Sequence, residues 1–440
     1  MLGQFVTRGG GAQEIAAAVE EAIRVGRLAP GEQLPTIRAL ATELRVSPMT
    51  VASAYRALRG RGLLTASGRR GTRVAERPPL PVRAPFFVPP GARDLASGNP
   101  DPALLPPLDP ALAAIDTSPR LALEEGKLEA LVDLARAQLA ADGVDAPALA
   151  VVGGALDGIE RVLAAYLRPG DAVAVEDPGF VRAYDLLRPL GLELAPFGVD
   201  DAGPVPDDLD RALKAGARAV IVTPRAHNPT GAALTDARAS ELRELVSARA
   251  DVLLIEDDHA AGVAGAPALS LAAPGRERWA AVRSVSKALG PDLRLALLAG
   301  DPTTVARVEG RQLLGTGWVS RILQQIVAAL WSDPDVADLL ARAERTYADR
   351  RSALVAALAR HGIAARGRSG LNVYVPVAEE ARTVATLLRR GWAVTPCERW
   401  RLASPPAIRV TTATLKTDEA EGFAADLADA LRARTATYSA

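Results

Sequence analysis

Six short apolar runs, at 148–152, 172–175, 219–222, 252–256, 281–284 and 295–298, most restrict what this chain can fold into. They do not alternate apolar with polar residues, and stretches of helical periodicity separate them. Strands of that kind are buried on both faces, so the pattern predicts a mostly parallel sheet covered by helices, an α/β architecture. A chain of 440 residues exceeds what one ordinary core organises, and two or three domains are expected. Charged residues break every apolar stretch well before the roughly 18 residues that suggest a membrane span. The opening Met-Leu-Gly-Gln-Phe-Val lacks the apolar core of a signal peptide. The single cysteine, Cys397, cannot close an internal disulfide, and these features together point to the reducing cytoplasm.

Between 75 and 94 lie six prolines in twenty residues, which marks a linker inclined to polyproline II. The expected organisation is a domain at 8–75, the linker at 76–94 and a second domain at 95–440. The larger part of that second domain is expected at about 140–305 and its smaller part at about 335–440. Charge is divided as well. The formal net charge is zero, yet 36–74 carries eight arginines, at 38, 45, 56, 59, 61, 69, 70 and 73, against one acid, Glu43. Such a segment can lie along a phosphate backbone, and the remainder is correspondingly acidic.

Within that basic segment the periodicity predicts three helices followed by two short strands. A helix over 15–25 ends at a Pro30-Gly31 turn, Thr36 can cap a second, and Ser47 can cap a third that has Pro48 in its first turn. The strands fall within 63–74, around Ser67-Gly68-Arg69-Arg70-Gly71. Helix, turn, helix, then wing is a layout that places one helix in the major groove of double-stranded DNA. Leu28-x-Pro30-Gly31-x-x-Leu34-Pro35-x-x-Arg38-x-Leu40-Ala41, Val46-Ser47-x-x-Thr50-Val51-x-x-Ala54-Tyr55-x-x-Leu58, Gly62-Leu63-Leu64 and Gly71-Thr72-x-Val74 resemble the GntR family of winged-helix regulators. The resemblance implies that Arg38, Ser47 and Thr50 approach phosphates or base edges, and that Arg69 and Arg70 on the wing approach the minor groove or backbone. Pro48 stands where that family often carries arginine, so readout by that side chain is lost.

Only four lysines, at 127, 214, 287 and 416, accompany 48 arginines. Lys287 stands apart in Ser284-Val285-Ser286-Lys287, after a predicted strand, with Arg294 seven residues on; its amine can form a Schiff base, which arginine cannot. Four other pieces fit a cofactor that has a phosphate, a phenolic oxygen and a pyridine nitrogen. Gly153-Gly154-Ala155 sits between strand and helix, where free N–H groups can hold phosphate. Asp257 can pair with a protonated ring nitrogen, with Asp258 as its rival. Asn228, in His227-Asn228-Pro229-Thr230-Gly231, can donate to the phenolic oxygen, and Phe180 can stack on the ring. Each has an ordinary structural reading by itself; their order and spacing together do not.

These residues, with Ser97-Gly98-Asn99-Pro100 and Ile408-Arg409-Val410, resemble the fold-type I, class I aminotransferases over 95–440. That family implies pyridoxal 5'-phosphate (PLP) bound to Lys287, a large mostly parallel sheet domain and a smaller α+β domain. It implies phosphate contacts from Gly154, Ala155, Ser284, Ser286 and Arg294, a carboxylate clamp at Arg409, and a part for Gly98 in the substrate or effector site. Where the family usually has a tyrosine donating to the phenolic oxygen, this chain has His259, which is expected to titrate near neutrality. No metal site is expected. The fusion of both parts resembles the MocR (GabR-like) subfamily, and the Ser-Lys-Ala-Leu-Gly-Pro-Asp-Leu-Arg run resembles its PtsJ-like members. The resemblance implies a homodimeric DNA-binding regulator that senses PLP or its adduct with an amine or amino acid. A catalytic aminotransferase with an autoregulatory DNA-binding head remains the alternative.

Overall fold

The computed structural model describes residues 11–24, 27–60, 62–66, 71–75, 88–118 and 126–432. The chain divides into two compact units.

In the first, α1 (Ala12–Arg24), α2 (Ile37–Leu44) and α3 (Pro48–Gly60) precede β1 (Leu64–Ala66) and β2 (Thr72–Val74). The strands pair antiparallel with Leu64 opposite Val74. The predicted caps hold. Thr36 Oγ1 accepts the Ala39 N–H at 3.2 Å, and Ser47 Oγ accepts the Thr50 N–H at 3.1 Å, so each helix start has one of its free donors satisfied. Ile15, Val19, Leu40, Leu44, Val51 and Leu58 recur at helical spacing and are buried together as the core. Tyr55 joins them and donates its hydroxyl proton to the Pro35 carbonyl at 3.0 Å, which ties α3 to the loop before α2.

The second unit is built on an eight-stranded sheet. A two-residue strand β3 (Arg93–Asp94) comes first; then β4 (Ala148–Val152), β5 (Ala172–Asp177), β6 (Glu193–Asp200), β7 (Gly203–Pro204), β8 (Ala219–Val222), β9 (Leu253–Asp258), β10 (Trp279–Ser284) and β11 (Ala296–Gly300) lie in the order β4-β11-β10-β9-β8-β5-β6-β7. All six apolar runs are strands of this sheet. Strands β5, β8, β9 and β10 run parallel, and β11 runs antiparallel to both its neighbours. The sheet is therefore mostly parallel, as the unbroken apolar runs require. β6 and β7 were not foreseen, because β6 is half-exposed and has no continuous apolar run. The helix Ala155–Tyr166 packs close on the sheet through Gly158, where a Cβ would sit 3.1 Å from Val152 and 3.3 Å from Val282.

The 27-residue helix Pro334–Arg360 leads into the smaller part. There β12 (Asn372–Pro376), β14 (Thr395–Pro396) and β15 (Ala407–Thr411) form a sheet in the order β12-β15-β14, and β13 (Trp392–Ala393) pairs with β3. Leu354, Val373, Val375, Ile408, Val410 and Phe423 form its core. Among the described residues no helix is long and apolar enough to cross a membrane.

Candidate cofactor and DNA-binding sites

Strand register assembles the first half of the site. Ser284 lies opposite Ala296, and Ala296 opposite Val152, so the turns following β10 and β4 and the residue preceding β11 meet at one edge. Ser284 Oγ donates to Ser286 Oγ at 3.1 Å and accepts the Ser286 N–H at 3.2 Å. Arg294, held at φ 45°, packs its guanidinium over Gly154, where a Cβ would lie 3.1 Å from Nη2. Gly154 has φ +105°, so glycine serves both the backbone angle and the close approach. Ala155 opens the helix that follows. One detail departs from expectation: the Gly153 N–H is already donated to Asp157 Oδ2 at 2.9 Å, which leaves the phosphate role to the groups beyond it.

Lys287 extends into the same cleft, and its Nζ donates to the Gly98 carbonyl at 2.7 Å. Burial, with Arg409 and Arg182 nearby, lowers this amine to about 8.

Asp257 stands opposite Val282 at the end of β9. Its side chain is buried and Oδ1 has no hydrogen-bond partner. Burial, then the charges of Asp258 and Glu176, pushes its carboxyl up to about 7. Asp258 points the other way by strand alternation. It accepts from Arg225 Nε and Nη2 at 2.8 Å each and from Arg283 Nε at 3.0 Å, which holds it below the usual carboxylate range against its own burial. The two acids therefore differ electrostatically: Asp258 is already neutralised by the protein, and Asp257 is not. His259 behaves differently from expectation. Burial, then the nearby Lys287, lowers it to about 4, so it is neutral at physiological pH and does not titrate near neutrality.

The other half of the site comes from the smaller part. Arg409, on β15, is buried; it donates to Asn228 Oδ1 at 3.2 Å and Thr395 Oγ1 at 3.2 Å, and also to the Ala96 carbonyl. Asn372 Nδ2 approaches the same Asn228 oxygen at 3.5 Å, which turns the Asn228 N–H group toward other acceptors. Gly98, at φ +72°, lies against the guanidinium, where a Cβ would sit 3.4 Å from both Nη atoms. The guanidinium carbon lies 4.5 Å from the Trp400 ring centroid, and Phe180 packs on Trp400 with centroids 5.9 Å apart. Burial lowers Arg409 to about 10. Trp400, Thr395 and Asn372 were not foreseen, nor was the buried pair of His227 Nε2 and Glu176 Oε2 at 3.2 Å. Trp400, Thr395 and Asn372 are far from the motifs in sequence and reach the site only through the tertiary fold, whereas His227 stands beside Asn228 and is tied to Glu176 by the pairing of neighbouring strands.

On the DNA-binding unit, Arg38 is exposed on α2, while Ser47 and Thr50 mark the start of α3 with their hydroxyls 2.8 Å apart. Met49 between them is 72% exposed, a feature the sequence reading did not single out. Arg69 and Arg70 lie outside the described residues. Among the described residues no group of three His, Cys, Asp or Glu is placed to hold a metal.

The donor set fits pyridoxal phosphate: hydroxyls, a guanidinium and a helix start at one end, a lysine amine in the middle, and a buried carboxylate oxygen lacking a partner where a protonated ring nitrogen is wanted. Fold and site together define a class, the transcription regulators that join a winged helix-turn-helix to a PLP-binding domain of aminotransferase fold. The family models agree. "Bacterial regulatory proteins, gntR family" matches 11–74 and "Aminotransferase class I and II" matches 127–427. The chain is 40% identical to the vitamin B6 salvage pathway transcriptional repressor PtsJ of Salmonella typhimurium, over 96% of this chain and 98% of that one. It is 30% identical to the pyridoxine biosynthesis transcriptional regulator PdxR of Corynebacterium glutamicum, over 77% of each chain. Among solved structures, α-aminoadipate aminotransferase LysN of Thermus thermophilus superposes with a TM-score of 0.70 at 22% identity, covering 86% of this chain and 97% of that one. The kynurenine aminotransferase of Pyrococcus horikoshii does so with 0.71 at 20% identity, covering 77% and 90%. This chain belongs to the MocR-type regulators of the GntR family: it is a DNA-binding transcription regulator with a PLP-binding, aminotransferase-like domain.

Proposed function

We propose that the 95–440 domain senses PLP, or an amine or amino acid captured with it, and thereby alters operator binding by the 8–75 domain across the 76–94 linker. PLP when bound supplies an aldehyde that amines capture reversibly. The protein's part is to position and tune. Ser284, Ser286, Arg294 and the N–H groups of Gly154 and Ala155 hold the phosphate. Asp257 accepts from the ring nitrogen, Asn228 and the neutral His259 donate to the phenolic oxygen, and Phe180, backed by Trp400, covers one ring face. Lys287, lowered to about 8, keeps an appreciable unprotonated fraction at neutral pH and is the attachment point. Arg409 takes the carboxylate of an amino acid effector, with Gly98 leaving room beside it. Arg38, Ser47, Thr50, Arg69 and Arg70 contact DNA. The regulator acts in the cytoplasm as a homodimer, reading paired half-sites.

The observation that carries this reading is the buried, partnerless Asp257 oxygen at the end of β9, next to the strand that leads into Lys287. Added PLP should give a visible absorption band that Lys287→Ala lacks; an identical band in the variant refutes the attachment point. The complete donor set also permits catalysis. An amino acid panel separates the readings: keto acid release with unchanged operator affinity favours the aminotransferase, and changed affinity without release favours the sensor.

A further inference from the structure

A second cavity opens beside Arg283 and Ser284 at the end of β10, and neither Asp257 nor Asp258 is among its lining residues. Its volume is about 350 Å³, and Arg283, Asp142, Trp331, Leu340 and Glu344 are among its walls. The Arg283 side chain is only 6% exposed. Its Nε donates to Asp258 and its Nη2 lies 2.6 Å from Asp142 Oδ2, but its Nη1 has no hydrogen-bond acceptor among the described residues. Arg225 beside it is better satisfied, giving Nε and Nη2 to Asp258 and Nη1 to the Ala266 carbonyl at 3.0 Å. A guanidinium donor that lines a cavity with no protein acceptor is available to an acceptor on a ligand.

The remaining walls narrow what that ligand is. Asp142 is about a third exposed, and Glu344 uses Oε1 for the Gly265 N–H at 3.0 Å and leaves Oε2 without a donor among the described residues. A simple anion would meet these two carboxylates, and a simple cation would meet two guanidiniums. Trp331, Val336 and Leu340 supply an apolar face between them. A molecule carrying both charges and an apolar body answers all three.

We infer that this cavity is a second ligand site, for a free amino acid with an apolar side chain. Its carboxylate meets Arg283 Nη1, its ammonium meets Asp142 or Glu344, and its side chain lies on Trp331 and Leu340. The cavity borders the first site, since Ser284, Val285 and Ala288 belong to its wall, while Lys287, Asp257 and Arg409 do not.

The test uses the full chain carrying Arg409→Gln, which removes the carboxylate clamp of the first site. L-leucine is titrated calorimetrically beside leucinamide, which lacks the carboxylate, and 4-methylpentanoate, which lacks the amine. Saturable leucine binding is expected, at least about tenfold tighter than either analogue. It should disappear with Ala337→Trp, which fills the cavity mouth from an exposed position on the helix Pro334–Arg360 and so spares the core. Absence of leucine binding overturns the inference, as does 4-methylpentanoate binding equally well or leucine binding that survives Ala337→Trp. None of these outcomes depends on PLP, so they leave the reading of Lys287 untouched.

Discussion

Replacing Asp257 with asparagine probes the site at its most revealing ionisable group. Burial raises this carboxyl from 3.8 to about 7. At roughly 1.4 kcal/mol per pH unit, that gap amounts to about 4 kcal/mol between the protonated and charged forms. The folded protein holds the proton more tightly than the unfolded chain does. The group's contribution to stability is therefore fully present below about 4 and is lost as the pH rises through about 7. Asparagine has no such proton to lose. In the cofactor-free protein the variant should therefore gain on the parent between pH 5 and pH 8, by up to about 3 kcal/mol. All five tryptophans, at 279, 318, 331, 392 and 400, follow the linker, so urea unfolding read by tryptophan fluorescence reports on this domain. PLP binding should move in the opposite direction, weakening by about tenfold or more, because the amide cannot supply the charge a protonated ring nitrogen wants. Parallel pH profiles for parent and variant would refute the burial argument. Undiminished PLP affinity would refute the assignment of Asp257.

Three further outcomes follow from the same geometry. Asp258→Asn should destabilise the domain by about 3–5 kcal/mol in urea unfolding, because it leaves the buried Arg225 and Arg283 undercompensated; a loss below about 1 kcal/mol would contradict the network. Arg409→Gln should raise the amino acid concentration needed for a spectral response by about tenfold or more while leaving the PLP band in place, and equal loss of both would show that it serves only packing. Arg38→Ala should weaken operator binding similarly for all sequences and reduce the salt slope by about 1, and an unchanged slope would remove it from the phosphate contacts.

What the sequence revealed depended on how local each cause was. The six apolar runs and the caps at Thr36 and Ser47 act over a few residues, and the structure places them as read. Lys287 was legible because a lysine in a chain that otherwise uses arginine carries chemistry that arginine lacks. Asp257 and Asp258 could only be ranked by resemblance; what distinguishes their surroundings is Arg225 and Arg283, whose ion pairs with Asp258 are a property of the folded sheet. His259 was misjudged for the same reason, since its lowered basicity comes from burial and the Lys287 amine. Trp400, Thr395 and Asn372 left no local mark, because nothing in their neighbours announces an arginine arriving from β15. The strands β12 to β15 were likewise silent, since β12 and β15 mix polar with apolar residues and β13 and β14 are two residues long.

Sensing imposes a condition beyond occupancy. A ligand changes DNA binding only if it binds two arrangements of the protein with different affinity, and the coupling is then reciprocal. On the proposed reading, adjacent residues of β9 explain how PLP stores binding energy here: Asp258 is satisfied from within by two arginines, while Asp257 Oδ1 has no partner and would gain one in the ring nitrogen. Any arrangement that opens this end of the sheet to water removes the deficit at Asp257 and with it part of the advantage of binding. Operator duplex added at saturation should consequently shift PLP affinity by the same factor by which PLP shifts operator affinity, about 5-fold to 150-fold if the coupling is of ordinary size. Both titrations can be made on one preparation, by absorbance for PLP and by fluorescence anisotropy for the duplex. Equal PLP affinity with and without duplex would mean that the cofactor is held without being sensed.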